Sequence, residues 1–206
     1  MARRSAPEVN AGSMADIAFL LLIFFLVTTT MEKDKGISRQ LPPIQDDAPE
    51  VNIKEKNLFV VLVNKNDDLL VEEEPMQLKD LRLAAIDFLD NGGASSSDAM
   101  YCNYCQGKRD PSSSDYPDKA IISVKNDRLT SYNMYIAVQN ELVGAYNFLR
   151  NRESQRLYGW DFTTVKAQVD AGTYVGDNKK AEENLEVVQE MYPLRLSEAS
   201  PGKVGK

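Results

Sequence analysis

The feature that most limits what this chain can fold into is an unbroken apolar run from Ile17 to Val27, set within Met14–Met31, MADIAFLLLIFFLVTTTM. As one helix these eighteen residues rise about 27 Å, against about 30 Å for the hydrocarbon core of a bilayer. The run is a minimal membrane span, and lipid bilayer is the partner it asks for. Asp16 stands immediately before it. A carboxylate there is disfavoured unless it is neutralised, hydrated or engaged in chemistry. Asp16 is therefore the first candidate site residue.

The remainder of the 206 residues is enough for one ordinary domain with a core of its own. A net charge of −7 and a pI near 4.8 argue against nucleic acid as a partner, since phosphate binding requires a basic face. The chain has no histidine, which excludes histidine-containing metal sites and leaves proton handling to carboxylates. Cys102 and Cys105 are the two cysteines. They are too few for a disulfide scaffold or for a four-ligand zinc site within one chain. No phosphate loop, nucleophile elbow or metal-ligand cluster stands out, so neither a cofactor nor an enzymatic activity is expected.

Residues 1–12 are short and polar, with Arg3 and Arg4 ahead of the apolar run. That order suits a membrane anchor over 13–31 and equally the start of a signal peptide. The absence of an Ala-x-Ala-like site after Val27 favours an uncleaved anchor. Lys33, Lys35 and Arg39 nearly balance the two arginines, and the long segment after the run favours an amino terminus on the cytoplasmic side. Residues 32–56 read as a flexible linker, interrupted by Pro42, Pro43 and Pro49 and without sustained periodicity.

From residue 57 the pattern becomes globular, and residues 57–198 are expected to form one α+β domain. Leu58–Val63 reads as a strand, Asn64–Asp68 as a turn and Leu69–Val71 as a returning strand, by their β-rich composition and turn residues. Leu78, Leu81, Ala85, Phe88 and Leu89 follow at helical spacing, and Asn91-Gly92-Gly93 ends that helix. An insertion over 91–118 is serine-rich and reads as an exposed loop, with Cys102 and Cys105 either joined as a disulfide or held as a redox pair. A strand at Ala120–Val124, a helix of about five turns from Tyr132 to Leu149, weaker helices over 160–169 and 180–192, and a last strand at Leu194–Ser197 complete the domain. The tail, 199–206, reads as unstructured. Helices on one face of a small mixed sheet, in two layers, are the expected architecture. Its open edge could pair with a second copy.

Asp16 admits two readings. Ser13-Met14-Ala15-Asp16 fits a capping box, with Ser13 as the helix cap and the acid reaching back to its amide. The other reading is proton carriage, because an apolar wall disfavours the charged form of a carboxylate and small changes around it then load or release a proton. One short helix cannot enclose its own carboxylate, so the second reading requires a membrane partner around it.

Glu8-Val9-Asn10, then Asp16 leading into a run that ends Val27-Thr28-Thr29, then Leu41-Pro42-Pro43, together resemble the ExbD/TolR family of bacterial energy-transducing subunits. Asn10, Asp16, Leu41, Pro42 and Pro43 carry that resemblance. Ala11-Gly12-Ser13-Met14 departs from it where a Thr-Pro usually stands, and the 91–118 insertion and the 152–192 segment have no counterpart. The resemblance implies a single-pass protein of the bacterial inner membrane with its carboxy-terminal domain in the periplasm. It implies a homodimer inside an ExbB-like pentameric ring, with Asp16 as proton carrier, driving a TonB-like protein that opens outer-membrane transporters. A stator-like subunit of another machine, in gliding, secretion or TolR-type envelope maintenance, and a simply anchored periplasmic binding domain are the competing readings.

Overall fold

A computed structural model describes residues 11–28 and 54–198. The chain divides into two units, Met1–Pro49 and Glu50–Lys206. In the first, Ala11–Thr28 forms helix α1. The rest of the linker and the tail, with Asn10, Leu41, Pro42 and Pro43, lie outside the described residues.

The second unit is built on a five-stranded mixed sheet of β1 (Leu58–Val63), β2 (Leu69–Val71), β3 (Glu74–Met76), β4 (Ile121–Asn126) and β5 (Leu196–Glu198), in the order β3-β2-β1-β4-β5. β1 and β4 are parallel, with Phe59 opposite Ile122 and Val61 opposite Val124. β4 and β5 are also parallel, while the β1–β2 and β2–β3 pairs are antiparallel. Alternation along β1 buries Phe59, Val61 and Val63 on one face, as the period of two requires. This face shares one core with α2 (Leu78–Leu89) and α3 (Tyr132–Tyr158). Leu81, Ala85 and Leu89 of α2 meet Val138, Leu142, Ala145 and Leu149 of α3 in that core, and the Phe59 and Phe88 rings lie 5.1 Å apart. The domain is therefore α+β in two layers.

Four features differ from the sequence expectation. β3 was not expected, because Pro75 stands in it and proline is confined to edge or irregular strands; β3 is indeed an edge strand. α3 continues nine residues past Leu149 to Tyr158, since buried Glu153 replaces the apolar stripe there and pairs with Arg152 and Arg156. Gly159, at φ 74, ends it, a left-handed position that glycine adopts without a Cβ penalty. Beyond it, α4 (Phe162–Asp170) and α5 (Asn178–Met191) close a second small core of Phe162, Val165, Ala181, Leu185 and Val188.

The third difference is the insertion, which is not an exposed loop throughout. Cys102 and Cys105 are 0% and 4% exposed, and Ser114 and Asp115 are buried with them. Asn91 fastens it, donating from Nδ2 to the carbonyls of Asp110 and Ser114 and accepting from the Asp110 amide. The fourth lies at the end of the linker, where Glu55–Asn57 forms one 3-10 turn. Lys56 Nζ there lies 2.6 Å from Asp115 Oδ1, and the Asn57 side chain accepts from the Asp115 amide at 2.8 Å.

Candidate functional site

Each unit contains one arrangement that invites a functional reading. In α1, Met14, Ile17 and Phe19 through Phe25 are each 40–61% exposed. A helix apolar all round belongs inside something, whether a protein core or a bilayer. Asp16 is its one ionisable residue and is exposed. Among the described residues its carboxylate has no hydrogen bond or ion pair. The helix is already formed at Ala11, so Ser13 stands inside it and not at its cap, which requires a non-helical backbone. Among the described residues no helix is long and apolar enough to cross a membrane. Residues 29–31 of the expected span lie outside them.

In the second unit the polar groups converge on Asp90, at the carboxy-terminal end of α2. Arg152 of α3 meets it in a two-pronged pair, Nη1 to Oδ2 at 2.6 Å and Nη2 to Oδ1 at 2.8 Å. The Tyr192 hydroxyl donates to Asp90 Oδ1 at 2.6 Å and accepts from Arg152 Nη2 at 2.9 Å. From the insertion, the Gln106 amide donates to Asp90 Oδ2 and the Gly107 amide to the Asp90 carbonyl. Glu153, fully buried, accepts from Arg152 Nε and Arg156 Nε. Burial opposes the charge on Arg152, but its bonds to Asp90 and the surrounding Tyr192 and Glu153 outweigh that and raise its pKa. Burial, then the bond to Asp90, raises the pKa of Tyr192. Every group here has a partner of opposite character, and such a saturated network specifies packing. Its two carboxylates, Asp90 and Glu153, are 4% and 0% exposed.

Cys102 and Cys105 are joined as a disulfide beside this hub. Arg109 Nη2 donates to the carbonyls of both cysteines, and its guanidinium lies over the Tyr101 ring. Tyr104, between them in sequence, donates to the Met191 carbonyl at 2.8 Å and places its ring edge-on to Tyr192 and Tyr116. Among the described residues no group of His, Cys, Asp and Glu could hold a metal ion.

Asp90, Arg152 and Tyr192 escaped the sequence reading because 62 and 40 residues separate the pairs. The local signal was the charged Arg152-Glu153 following Leu149 in helical register. Asp16 lies in the first unit and the disulfide in the second.

Comparison with known proteins bears on both units. A family model described as "Biopolymer transport protein ExbD/TolR" matches residues 2–150, a range that includes α1, the sheet through β4 and most of α3. A curated relative, "Biopolymer transport protein exbD2" of Vibrio cholerae serotype O1, is 31% identical over 65 residues, 32% of this chain. The match spans 46% of that relative's length. α4, α5 and β5 lie beyond the family match.

Proposed function

We propose, from the premise that this chain belongs to the ExbD/TolR family of biopolymer transport proteins, that it is a proton-motive-force transducing subunit of the inner membrane in which Asp16 carries the proton. It is not an enzyme but part of a proton channel. Two copies sit with their α1 helices in an ExbB-like pentameric ring, and the carboxy-terminal domain works on a TonB-like protein that opens outer-membrane transporters.

The observation that carries the reading is the placement of Asp16. It is the one ionisable residue of α1, directly before an unbroken apolar run, and it falls within the family match. One charge crossing 100 mV releases about 2.3 kcal/mol, enough to drive a modest conformational step for each proton. The Cys102–Cys105 disulfide adds support for a domain outside the cytoplasm, because such bonds persist in oxidising compartments. That leaves the amino terminus inside.

The test is Asp16→Asn in living cells, which keeps size and hydrogen-bonding capacity but abolishes titration. Energised outer-membrane uptake is expected to fall to the level of a strain lacking the protein, while the variant still co-purifies with its membrane ring. Uptake near the wild-type rate would refute proton carriage by Asp16.

A further inference from the structure

We infer that the Cys102–Cys105 disulfide is a redox-set latch, whose bonded form holds the carboxy-terminal elements α5 and β5 against the domain through Asp90 and whose reduction loosens them. The carboxy-terminal end of α5 is secured at Tyr192, where three contacts converge. The Tyr192 hydroxyl bonds Asp90, its carbonyl accepts two N–H bonds from Arg150, and the preceding Met191 carbonyl accepts from Tyr104. Tyr104 lies inside the disulfide ring. Gln106 and Gly107, the two residues after Cys105, donate their amides to Asp90. The disulfide loop therefore touches the end of α5 twice, directly through Tyr104 and indirectly through Asp90.

The loop has no slack in which to absorb a broken bond. Gly92 is at φ +61, and a Cβ on it would lie 2.8 Å from Cys105 Cβ and 3.4 Å from Cys102 Cβ. A Cβ on Gly107 would lie 2.5 Å from the Asp90 carbonyl oxygen. Two thiols need more separation than two bonded sulfurs, and the backbone of the α2 terminus blocks that separation on one side. The turn must move outward, and Tyr104, Gln106 and Gly107 move with it.

The chemistry is thiol–disulfide exchange with a dithiol reductant. Its thiolate attacks one sulfur, forming a mixed disulfide and releasing the other cysteine as a thiolate. Its second thiol then displaces the first cysteine, leaving oxidised reductant and two protein thiols, which have gained two electrons and two protons. Both sulfur-bearing residues are buried, so the loop opens before attack, and the latch stays shut against brief exposure.

Hydrogen exchange on the full-length protein in detergent, followed by mass spectrometry, tests this with and without dithiothreitol. Reduction is expected to accelerate exchange over residues 185–198 at least ten-fold, with β1 and α2 unchanged. Cys102→Ala/Cys105→Ala is expected to reproduce the effect without reductant. Arg109→Ala, which frees the same turn with the bond intact, is expected to do so in part. Acceleration confined to 94–118, or spread evenly over the whole domain, would overturn the latch.

Discussion

Two aspartates of this chain occupy opposite extremes. Asp90 is buried and accepts from an arginine through two bonds, from a tyrosine hydroxyl and from a backbone amide. Asp16 is exposed on an apolar helix, with no partner among the described residues. A carboxylate that organises packing must be saturated, because an unpaired buried charge costs several kcal/mol. In the proposed function Asp16 exchanges protons, and a carboxylate with that task must keep its bonding capacity open until a partner supplies the surroundings. One is finished by its own chain; the other is not.

The contrast breaks most readily at Arg152. Arg152→Met removes the cation between Asp90 and Glu153 and is expected to cost about 3–5 kcal/mol, which lowers Tm by about 10 °C in a domain of this size. Chemical and thermal unfolding of the full chain would measure it. Asp16→Asn, under the same assay, is expected to leave domain stability within about 0.5 kcal/mol of wild type. A small effect of Arg152→Met would show that the hub is not the brace its geometry implies.

A smaller effect separates partnered carboxylates by pH. At Asp115 burial favours the neutral form, but Lys56, Lys54 and Asn57 outweigh it and hold the pKa below the ordinary 3.8. A carboxyl depressed in the folded state stabilises fully above its unfolded value, and that contribution is lost as pH falls through the folded value. Stability is therefore expected to be flat from neutral pH down to about 4 and then to decline. Asp115→Asn is expected to lower the plateau and flatten the acid limb. Asp118, whose burial is outweighed by Arg195, titrates in the same sense and sustains the remaining slope. An unchanged acid limb in the variant would remove Lys56–Asp115 from the account.

The parts that were legible in the sequence are those whose signal is local. β1 shows its strand in six successive apolar residues, and α2 shows its buried stripe at helical spacing. Asp16 was visible because a single charge against an apolar run is a local contradiction. The insertion was misread because serine, glycine and proline content reports conformational preference, not what a loop is tied to. Asn91 and Asp115 hold it through partners about twenty to sixty residues away. The last nine residues of α3 escaped for a related reason: their buried positions carry Ser154 and Glu153, and a glutamate lies inside only when paired, here with Arg152 and Arg156. The Asp90 hub joins the end of α2, α3 and the end of α5, so no window of sequence contains it.

The smallest effect concerns β3, where the chain contradicts its own turn chemistry. Val71 pairs with Glu74, so Glu72 and Glu73 are the two central residues of the hairpin, at φ 50 and 69. Both left-handed angles suit Asn-Gly, and a glutamate pays a Cβ penalty of about 1 kcal/mol there. Glu72 has an offsetting contact, since its carboxylate accepts from the Val60 amide; among the described residues Glu73 makes no such bond. Glu73→Gly is therefore expected to stabilise the domain by about 0.5 kcal/mol, after the extra freedom glycine gives the unfolded chain. Glu73→Ala relieves the repulsion among Glu72, Glu73 and Glu74 but not the backbone, and is expected to gain less. Equal gains from the two variants would assign the strain to charge, and the left-handed turn would then cost this hairpin nothing measurable.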